Sequence, residues 1–250
     1  MTSVCCCHDP TRRALQVGGS FAPLSAVPRL EYARYRRAEE VRMKFWSNSF
    51  SDGDPIPGEF AFGLPDPVSH VVFGPNLNPH LAWSGIPNGT RSLAIIVHDR
   101  DVPTRPDDVN QEGREVPPDL PRADFYHWVL VDLPPEVGEI DAGSFSDGVV
   151  PHGKDVAGMP GEIRQGINDY TGWFEGDADM SGDYFGYDGP CPPWNDSLIH
   201  HYGFTLFALG IERLELPRGF TGEDARVAMA EHALASDSFT GTYTLNQRLL

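Results

Sequence analysis

The stretch that decides the fold begins with Gly189-Pro190-Cys191-Pro192-Pro193 and continues, six residues later, with His200-His201-Tyr202 and the apolar residues 203–209. Proline fixes φ and has no backbone N–H, so the first segment cannot join a sheet ladder and holds one shape. The apolar run is typical of a buried strand. On an extended chain His200 and Tyr202 share one face and His201 takes the other. The loop and two of these side chains could therefore wall one small cavity; a plain rigid surface loop is the alternative.

The composition favours strands over helices. The 250 residues include 26 Gly and 23 Pro, about a fifth of the chain, which is typical of a loop-rich architecture. Continuous or alternating apolar runs predict strands at residues 93–98, 125–133, 201–209 and 239–245. We therefore predict an all-β fold, an antiparallel Greek-key β-sandwich with one or two short peripheral helices.

Weaker signals complete this prediction. Residues 45–50 and 68–73 have strand character, and Asn88-Gly89 suits a hairpin turn. Thr221 is a good N-cap for a helix near the C-terminus over residues 225–234. Two polar segments, residues 104–124 and 173–188, are predicted to be long exposed loops, and both are acidic.

Charge separates the first residues from the rest. Residues 1–42 contain seven arginines and four acidic residues, although the whole chain has a net charge of −17. We predict that 1–42 is a flexible basic tail and that 43–250 is the folded domain. A strongly acidic domain is a poor match for nucleic acid or for an anionic membrane surface.

Cysteine usage and hydropathy bear on the compartment. Cys5, Cys6 and Cys7 are adjacent and Cys191 stands alone, which is neither a disulfide framework nor a zinc-site spacing. No run is long enough for a membrane-spanning helix, and the N-terminus lacks the apolar core of a signal peptide. The expected location is the cytoplasm; a homodimer is possible.

Polar residues that a buried strand does not need cluster at three strand ends. They are Asp99 and Asp101 after the first strand, His127 within the second, and His200 and Tyr202 at the start of the third. Two aspartates at i and i+2 are expected to face the same way. Such a set could bind a small phosphate or sulfate, ligate a divalent metal, or perform acid–base chemistry.

Known catalytic and cofactor signatures are missing from the sequence. There is no His-Glu-x-x-His, no Gly-x-Ser-x-Gly, no Walker loop and no Gly-x-Gly-x-x-Gly after a strand. The sequence therefore predicts neither a cofactor nor a resident metal.

The ordered motifs resemble the phosphatidylethanolamine-binding protein family, especially its bacterial, Raf kinase inhibitor-like branch. The resemblance rests on Asp99-Arg100-Asp101-Val102-Pro103, His127-Trp128, the 189–193 loop and His200-His201-Tyr202. It is extended by the stretch from Asn76-Leu77-Asn78-Pro79 to Trp83, by Gly166-Ile167-Asn168-Asp169 and by the Thr221 helix, and it covers residues 43–250.

The resemblance implies a single-domain β-sandwich with a small anion pocket. It places these residues in or beside that pocket: Asp99, Asp101, His127, Gly189, Pro190, Pro192, Pro193, His200 and Tyr202. It also implies a non-enzymatic protein that binds a phosphate-type head group and modulates a kinase, protease or signalling partner. Tyr202 and a charged His200 are expected to donate hydrogen bonds, with Asp99 orienting His127 or acting as a protonated donor. Affinity should then fall as the pH rises through about 6.5.

Departures from the family pattern fall on the rim of the pocket. Arg100 stands where the motif has Pro, Val102 where it has Ala, and His201 where Arg is usual, while Trp194-Asn195-Asp196 replaces the usual Lys/Gly continuation. Two other functions stay open. One is a metal-assisted or acid–base hydrolase using Asp99, His127 and His200, and the other is an interaction protein that docks a basic partner on the acidic loops.

Overall fold

The central sheet forms from strands that are apolar on both faces. In the computed structural model, which describes residues 42–154 and 163–250, strand β5 (Ser92–Pro103) places Ile95 in one core cluster and Ile96 in the cluster on the opposite face. Strand β6 (Arg122–Leu133) repeats this pattern with Trp128 and Val129. Because successive strand residues point to opposite faces, a continuous apolar run indicates a strand buried on both sides.

Ten strands and two short helices occupy the described residues. In chain order they are β1 (Lys44–Trp46), a 3₁₀ turn (Gly58–Phe60), β2 (Gly63–Asp66), β3 (His70–Phe73), β4 (Leu81–Ser84), β5 (Ser92–Pro103), β6 (Arg122–Leu133), β7 (Glu139–Ile140), β8 (Arg164–Gln165), α1 (Tyr170–Trp173), β9 (His200–Leu209), α2 (Gly222–Met229) and β10 (Ala233–Tyr243). The predicted mostly-β architecture with few helices is confirmed.

The strands form three antiparallel sheets. The largest has the order β10-β9-β5-β6-β8, the second has the order β1-β4-β7, and β2 pairs with β3. The main core cluster contains Phe45 and Trp83 of the second sheet together with Trp128 and Phe204 of the central sheet. On the other face, Ala225 and Met229 of α2 lie in the second core cluster. Antiparallel pairing is confirmed, whereas Greek-key connectivity stays a prediction.

Three local predictions need correction. The Asn88-Gly89 turn does not close a hairpin, because β4 and β5 belong to different sheets. The C-terminal helix ends at Met229 rather than continuing to residue 234, because the chain from Ala233 onward pairs with β9. The end of the predicted exposed loop 173–188 is buried from Tyr184 onward. Tyr184 and Tyr187 pack in core clusters, and the carboxylate of Asp188 accepts hydrogen bonds from two buried side chains.

The described residues all belong to the compact unit that spans residues 41–250. The predicted basic tail, residues 1–42, lies outside the described residues except for Arg42, which is exposed. The boundary at residue 43 therefore stays a prediction.

Replacing Thr221 with Ala should lower the free energy of unfolding by about 1 kcal/mol, because the side chain caps α2. The Thr221 hydroxyl accepts a hydrogen bond from the backbone N–H of Asp224, whose carboxylate in turn accepts from the backbone N–H of Thr221. Urea denaturation measures the change. Ser236→Ala, which removes an exposed strand hydroxyl, is the control and should leave stability nearly unchanged; an equal loss in both variants would contradict the capping role.

Candidate functional site

A cavity of about 380 Å³ lies beside β5, β6 and β9. Its wall is largely aromatic, with Phe62, Phe125, Tyr170 and Phe174 among the lining residues. The volume is within the range of small-molecule sites, which are typically apolar with a few placed polar groups.

Five of the nine predicted site residues line this cavity: Asp99, His127, Pro192, Pro193 and Tyr202. The remaining four lie behind or beside its wall: Asp101, Gly189, Pro190 and His200. The sequence did not separate the side chains that line the cavity from those that lie behind its wall, and the role of all nine in binding stays a prediction.

Strand register brings the polar residues together. Asp99 of β5 lies opposite Tyr202 of β9, and on its other side it lies opposite Phe125 of β6. Val97 pairs with Trp128 and His98 with Tyr126, so His127 is an extra residue on β6. Such a bulge re-aims one side chain, and here it belongs to the histidine that lines the cavity.

A second irregularity separates the two aspartates. The β5–β6 register shifts between Asp99 and Val102. Within this irregular segment, Asp101 contacts exposed His201, accepting from its backbone N–H at 2.8 Å and pairing with its Nδ1 at 2.8 Å. The expectation that Asp99 and Asp101 face the same way is wrong, because the bulge breaks the two-residue period.

His200 is fully buried between two carboxylates. Its Nδ1 lies 2.6 Å from Asp99 Oδ2 and its Nε2 lies 3.1 Å from Asp196 Oδ2. Asp196 also receives both Nη groups of Arg122, at 2.6 and 3.1 Å. Negative and positive side chains thus alternate along the row Asp99–His200–Asp196–Arg122, so each charged group contacts a group of opposite charge.

This arrangement fixes the charge of His200. Burial alone would lower its pKa, but the hydrogen bonds that its ring nitrogens donate to Asp196 and Asp99 outweigh burial and raise the pKa to about 9. Both ring nitrogens donate, as in an imidazolium. His200 is therefore the charged histidine, yet it offers no donor to the cavity. The hydrolase hypothesis would need Asp99, His127 and His200 on one wall, and only the first two reach it.

His127 is the histidine that reaches the cavity, and it is neutral. Its Nδ1 donates to the backbone carbonyl of Asp188 at 2.7 Å, which leaves Nε2 as an acceptor. Burial lowers its pKa to about 4 against the opposing charge of Asp99. Neither His127 nor His200 changes its charge near pH 6.5, so the structure does not support a loss of ligand affinity caused by histidine titration at that pH.

Sequence analysis missed the carboxylate that organises the other side of the wall. Asp188 is fully buried and accepts from Asn76 Nδ2 and Asn168 Nδ2, each at 2.8 Å, and from Lys154 Nζ at 2.9 Å. Burial raises its pKa, although Lys154 and both amides oppose the shift. Both asparagines lie in stretches that contributed to the family resemblance, but no sequence signal linked them to residue 188.

The same network holds the Gly189-Pro190 turn. The backbone N–H of Gly189 donates to Asn76 Oδ1 at 2.8 Å, and the Tyr170 hydroxyl donates to the Gly189 carbonyl at 2.7 Å. A Cβ at position 189 would lie 2.0 Å from the backbone oxygen of Phe60. Glycine is therefore required by close backbone approach, and the chain that follows brings Pro192 and Pro193 to the cavity wall.

The Tyr202 hydroxyl is the unsatisfied group of the cavity. Tyr202 is 1% exposed, and its hydroxyl has no hydrogen-bond partner in the described part of the chain. Burial raises the pKa of Tyr202 well above its usual range, and both the charge of Asp99 and an interaction with its side chain add to that shift, so the hydroxyl stays protonated. That interaction does not reach hydrogen-bond geometry, and the hydroxyl can therefore still donate to a ligand. A buried polar group without a partner costs about 1–3 kcal/mol, and a ligand acceptor would remove that cost.

Other chemistry of the wall is limited. Burial raises the pKa of the Cys191 thiol to about 12, so the thiol stays protonated. Across residues 42–154 and 163–250, no group of three or more His, Cys, Asp or Glu side chains is arranged to hold a metal ion. No helix in the same residues is long and apolar enough to span a membrane.

Comparison with known proteins now adds to this geometry. Residues 46–244 match the family model described as phosphatidylethanolamine-binding protein. The chain belongs to the phosphatidylethanolamine-binding protein family. The resemblance found in the sequence is thereby confirmed.

Bacterial relatives and solved structures agree. The UPF0098 protein YbhB of Escherichia coli is 30% identical over 202 residues, which cover 81% of this chain and all of YbhB. LppC of Mycobacterium tuberculosis, which carries a lipoprotein name, is 32% identical over 184 residues, covering 74% of this chain and 68% of LppC. The homolog CT736 from Chlamydia trachomatis has a TM-score of 0.54 at 26% identity, covering 81% of this chain and 97% of that one. The crystal structure of Escherichia coli YbcL, with a TM-score of 0.57 at 24% identity, covers 81% of this chain and 98% of that one, and supports the fold.

Replacing His200 with Gln should remove a stabilisation that depends on pH. Because the folded-state pKa is about 9 and the unfolded value about 6.5, the contribution is complete below pH 6.5 and is lost as the pH rises through 9. Its size is on the order of 3 kcal/mol. Urea denaturation from pH 6 to pH 10 should show the gap between wild type and variant closing. His201→Gln, at an exposed neighbour, is the control; a gap independent of pH in His200→Gln would contradict the assignment.

Gly189→Ala should destabilise the domain by about 1–3 kcal/mol, because the new Cβ would overlap the Phe60 carbonyl. Gly148→Ala is the matched control, since no atom lies within 4 Å of a Cβ built there. Thermal denaturation of both variants checks the difference. Equal melting temperatures would show that the 189 turn can shift without cost.

Proposed function

We propose that this protein is a non-enzymatic binding protein that takes a small, singly charged phosphoester head group in the 380 Å³ cavity. The observation that carries the proposal is the buried Tyr202 hydroxyl, which has no partner in the described residues. A phosphoryl oxygen is a strong acceptor for such a donor. Occupancy of the cavity would in turn modulate a protein partner, and the expected location is the cytoplasm.

The second hydrogen bond defines the charge of the ligand. His127 presents an acceptor nitrogen, because its other nitrogen donates to Asp188. A phosphomonoester monoanion has both a P–O acceptor and a P–OH donor, so it can bond Tyr202 and His127 at once. A dianion lacks that proton and would meet the negative charge of Asp99 nearby, without a cation among the lining residues to offset it.

The aromatic wall supports an ester rather than inorganic phosphate. Phe62 stacks on Tyr170 with ring centroids 4.4 Å apart, and Phe125 meets Tyr170 edge-on at 5.2 Å. These rings offer apolar contact area to the organic part of the ligand. Inorganic phosphate would leave that area unfilled.

Phenyl phosphate should bind more than tenfold more weakly at pH 8 than at pH 5.5, because the second pKa of a phosphomonoester is about 6 and the monoanion is the bound form. Titration calorimetry at pH 5.5, 6.5 and 8 measures the change. Tyr202→Phe, which removes only the hydroxyl, should weaken binding at pH 5.5 by about tenfold or more. Tyr126→Phe, on the opposite face of the sheet, is the matched control.

Two outcomes would overturn the proposal. Equal affinity of Tyr202→Phe and wild type would remove the hydroxyl from the site. Affinity that is flat or rises toward pH 8 would show that His127 is not an acceptor for a ligand proton. Turnover of phenyl phosphate to phenol, followed in the same samples, would instead support the hydrolase hypothesis.

A further inference from the structure

A second cavity, of about 410 Å³, lies on the opposite face of the central sheet, against α2. Alternate residues of β5 separate the two cavities: Asp99 lines the first, whereas Ile96, His98 and Arg100 line the second. The apolar part of the second cavity consists of Ile96, Phe207, Met229, Ala230 and Ala233. Its volume is also within the range of small-molecule sites.

The polar side of this cavity is cationic on a strongly acidic protein. Arg100, Arg226 and Asp124 all line it. Arg226 is already engaged, with Nη1 lying 3.2 Å from Asp124 Oδ2 and 3.2 Å from the Tyr126 hydroxyl. Arg100 is exposed, and its guanidinium makes no ion pair or hydrogen bond with another side chain in the part of the chain that the structure describes. Its guanidinium fork is therefore available to a ligand anion.

His98 adds a buried polar atom without a partner. Its Nδ1 is shielded from solvent and makes no hydrogen bond within the described residues. Its Nε2 lies 4.0 Å from Asp124 Oδ1. Burial, more than any other cause, lowers the pKa of His98, so the ring contributes hydrogen-bonding capacity rather than a further charge.

Gly203 leaves space for the side chains of Arg100 and His98 to lie next to each other. His98 lies opposite Gly203 in the β5–β9 register. A Cβ at position 203 would lie 2.8 Å from Arg100 Nη2 and 3.3 Å from His98 Cε1. The missing side chain therefore leaves the space in which the guanidinium of Arg100 lies across β9, beside the His98 ring.

We propose that this second cavity binds a small organic carboxylate, with the carboxylate on Arg100 and the apolar body on the residues of α2 and β9. A guanidinium matches a carboxylate in shape and can bond both oxygens. The apolar lining favours a ligand with a hydrocarbon or aryl body over an inorganic anion. The net charge of −17 disfavours polyanions, so a single carboxylate fits best.

The test is a titration of wild-type protein with 3-phenylpropionate, followed by ¹H–¹⁵N NMR. We expect saturable shifts at the amides of Ala230 and Ala233, and no comparable shifts at His127 or Tyr202. Arg100→Gln should weaken binding by about tenfold or more, because a charge-assisted hydrogen bond is lost.

The matched control is Arg91→Gln, which makes the same change in charge at the other end of β5, where Arg91 pairs with Glu212. The affinity of Arg91→Gln for 3-phenylpropionate should stay within about twofold of wild type, because this variant loses the same charge at a residue that does not line the cavity. Tyr202→Phe should also leave this binding unchanged, which separates the result from the outcome at the first cavity. Equal affinity of Arg100→Gln and wild type, or shifts confined to the first cavity, would overturn the proposal, as would the absence of saturable shifts.

Discussion

The buried chain of alternating charges, Asp99–His200–Asp196–Arg122, is the interaction on which the site depends. It joins β5, β9, the loop before β9 and β6. Removing one member of a buried ion pair leaves an uncompensated charge, at a cost of about 3–5 kcal/mol. These ion pairs therefore hold β5, β6 and β9 in one arrangement, and they also fix the side chains that line the cavity on those strands.

The same ion pairs also determine which hydrogen-bonding groups face the cavity. Because His200 uses both nitrogens inside the chain, its positive charge stays behind the wall. Asp99 is held by His200 and by the backbone N–H of Asp101 at 2.8 Å, and accepts in both contacts. The groups that β6 and β9 leave for recognition beside Asp99 are a neutral histidine acceptor and a tyrosine donor. Under the proposed function, these two groups would select a ligand by its hydrogen-bond pattern.

The two faces of β5 have different chemistry for a simple geometric reason. Successive side chains alternate across a strand, so Asp99 faces the aromatic cavity whereas His98 and Arg100 face α2. The bulge after Asp99 then sends Asp101 to the exposed His201. The five-residue motif 99–103 thus contributes to both cavities, and its second residue, Arg100, lines only the cavity beside α2.

By itself the sequence determined the strand-rich architecture, because apolar runs such as residues 93–98 leave a strand no solvent-facing side. The alternation of side chains along a strand also predicted that His200 and His201 lie on opposite faces, and in the structure His200 is buried and His201 is exposed. Glycine and proline at residues 189–193 predicted a fixed loop. These features depend on backbone chemistry within a few residues, and a single sequence records that chemistry directly.

Only the tertiary structure decided which polar residues share a wall. The contacts of Asp188 with Asn76 and Asn168 span 112 and 20 positions along the chain, and no local pattern encodes such pairings. The protonation states of the two histidines could not be predicted from the sequence either. His127 and His200 have the same intrinsic pKa, but in the folded protein their pKa values are about 4 and about 9. Burial without a carboxylate partner neutralises the first, whereas two buried carboxylates charge the second. Those surroundings exist only once the strands have assembled.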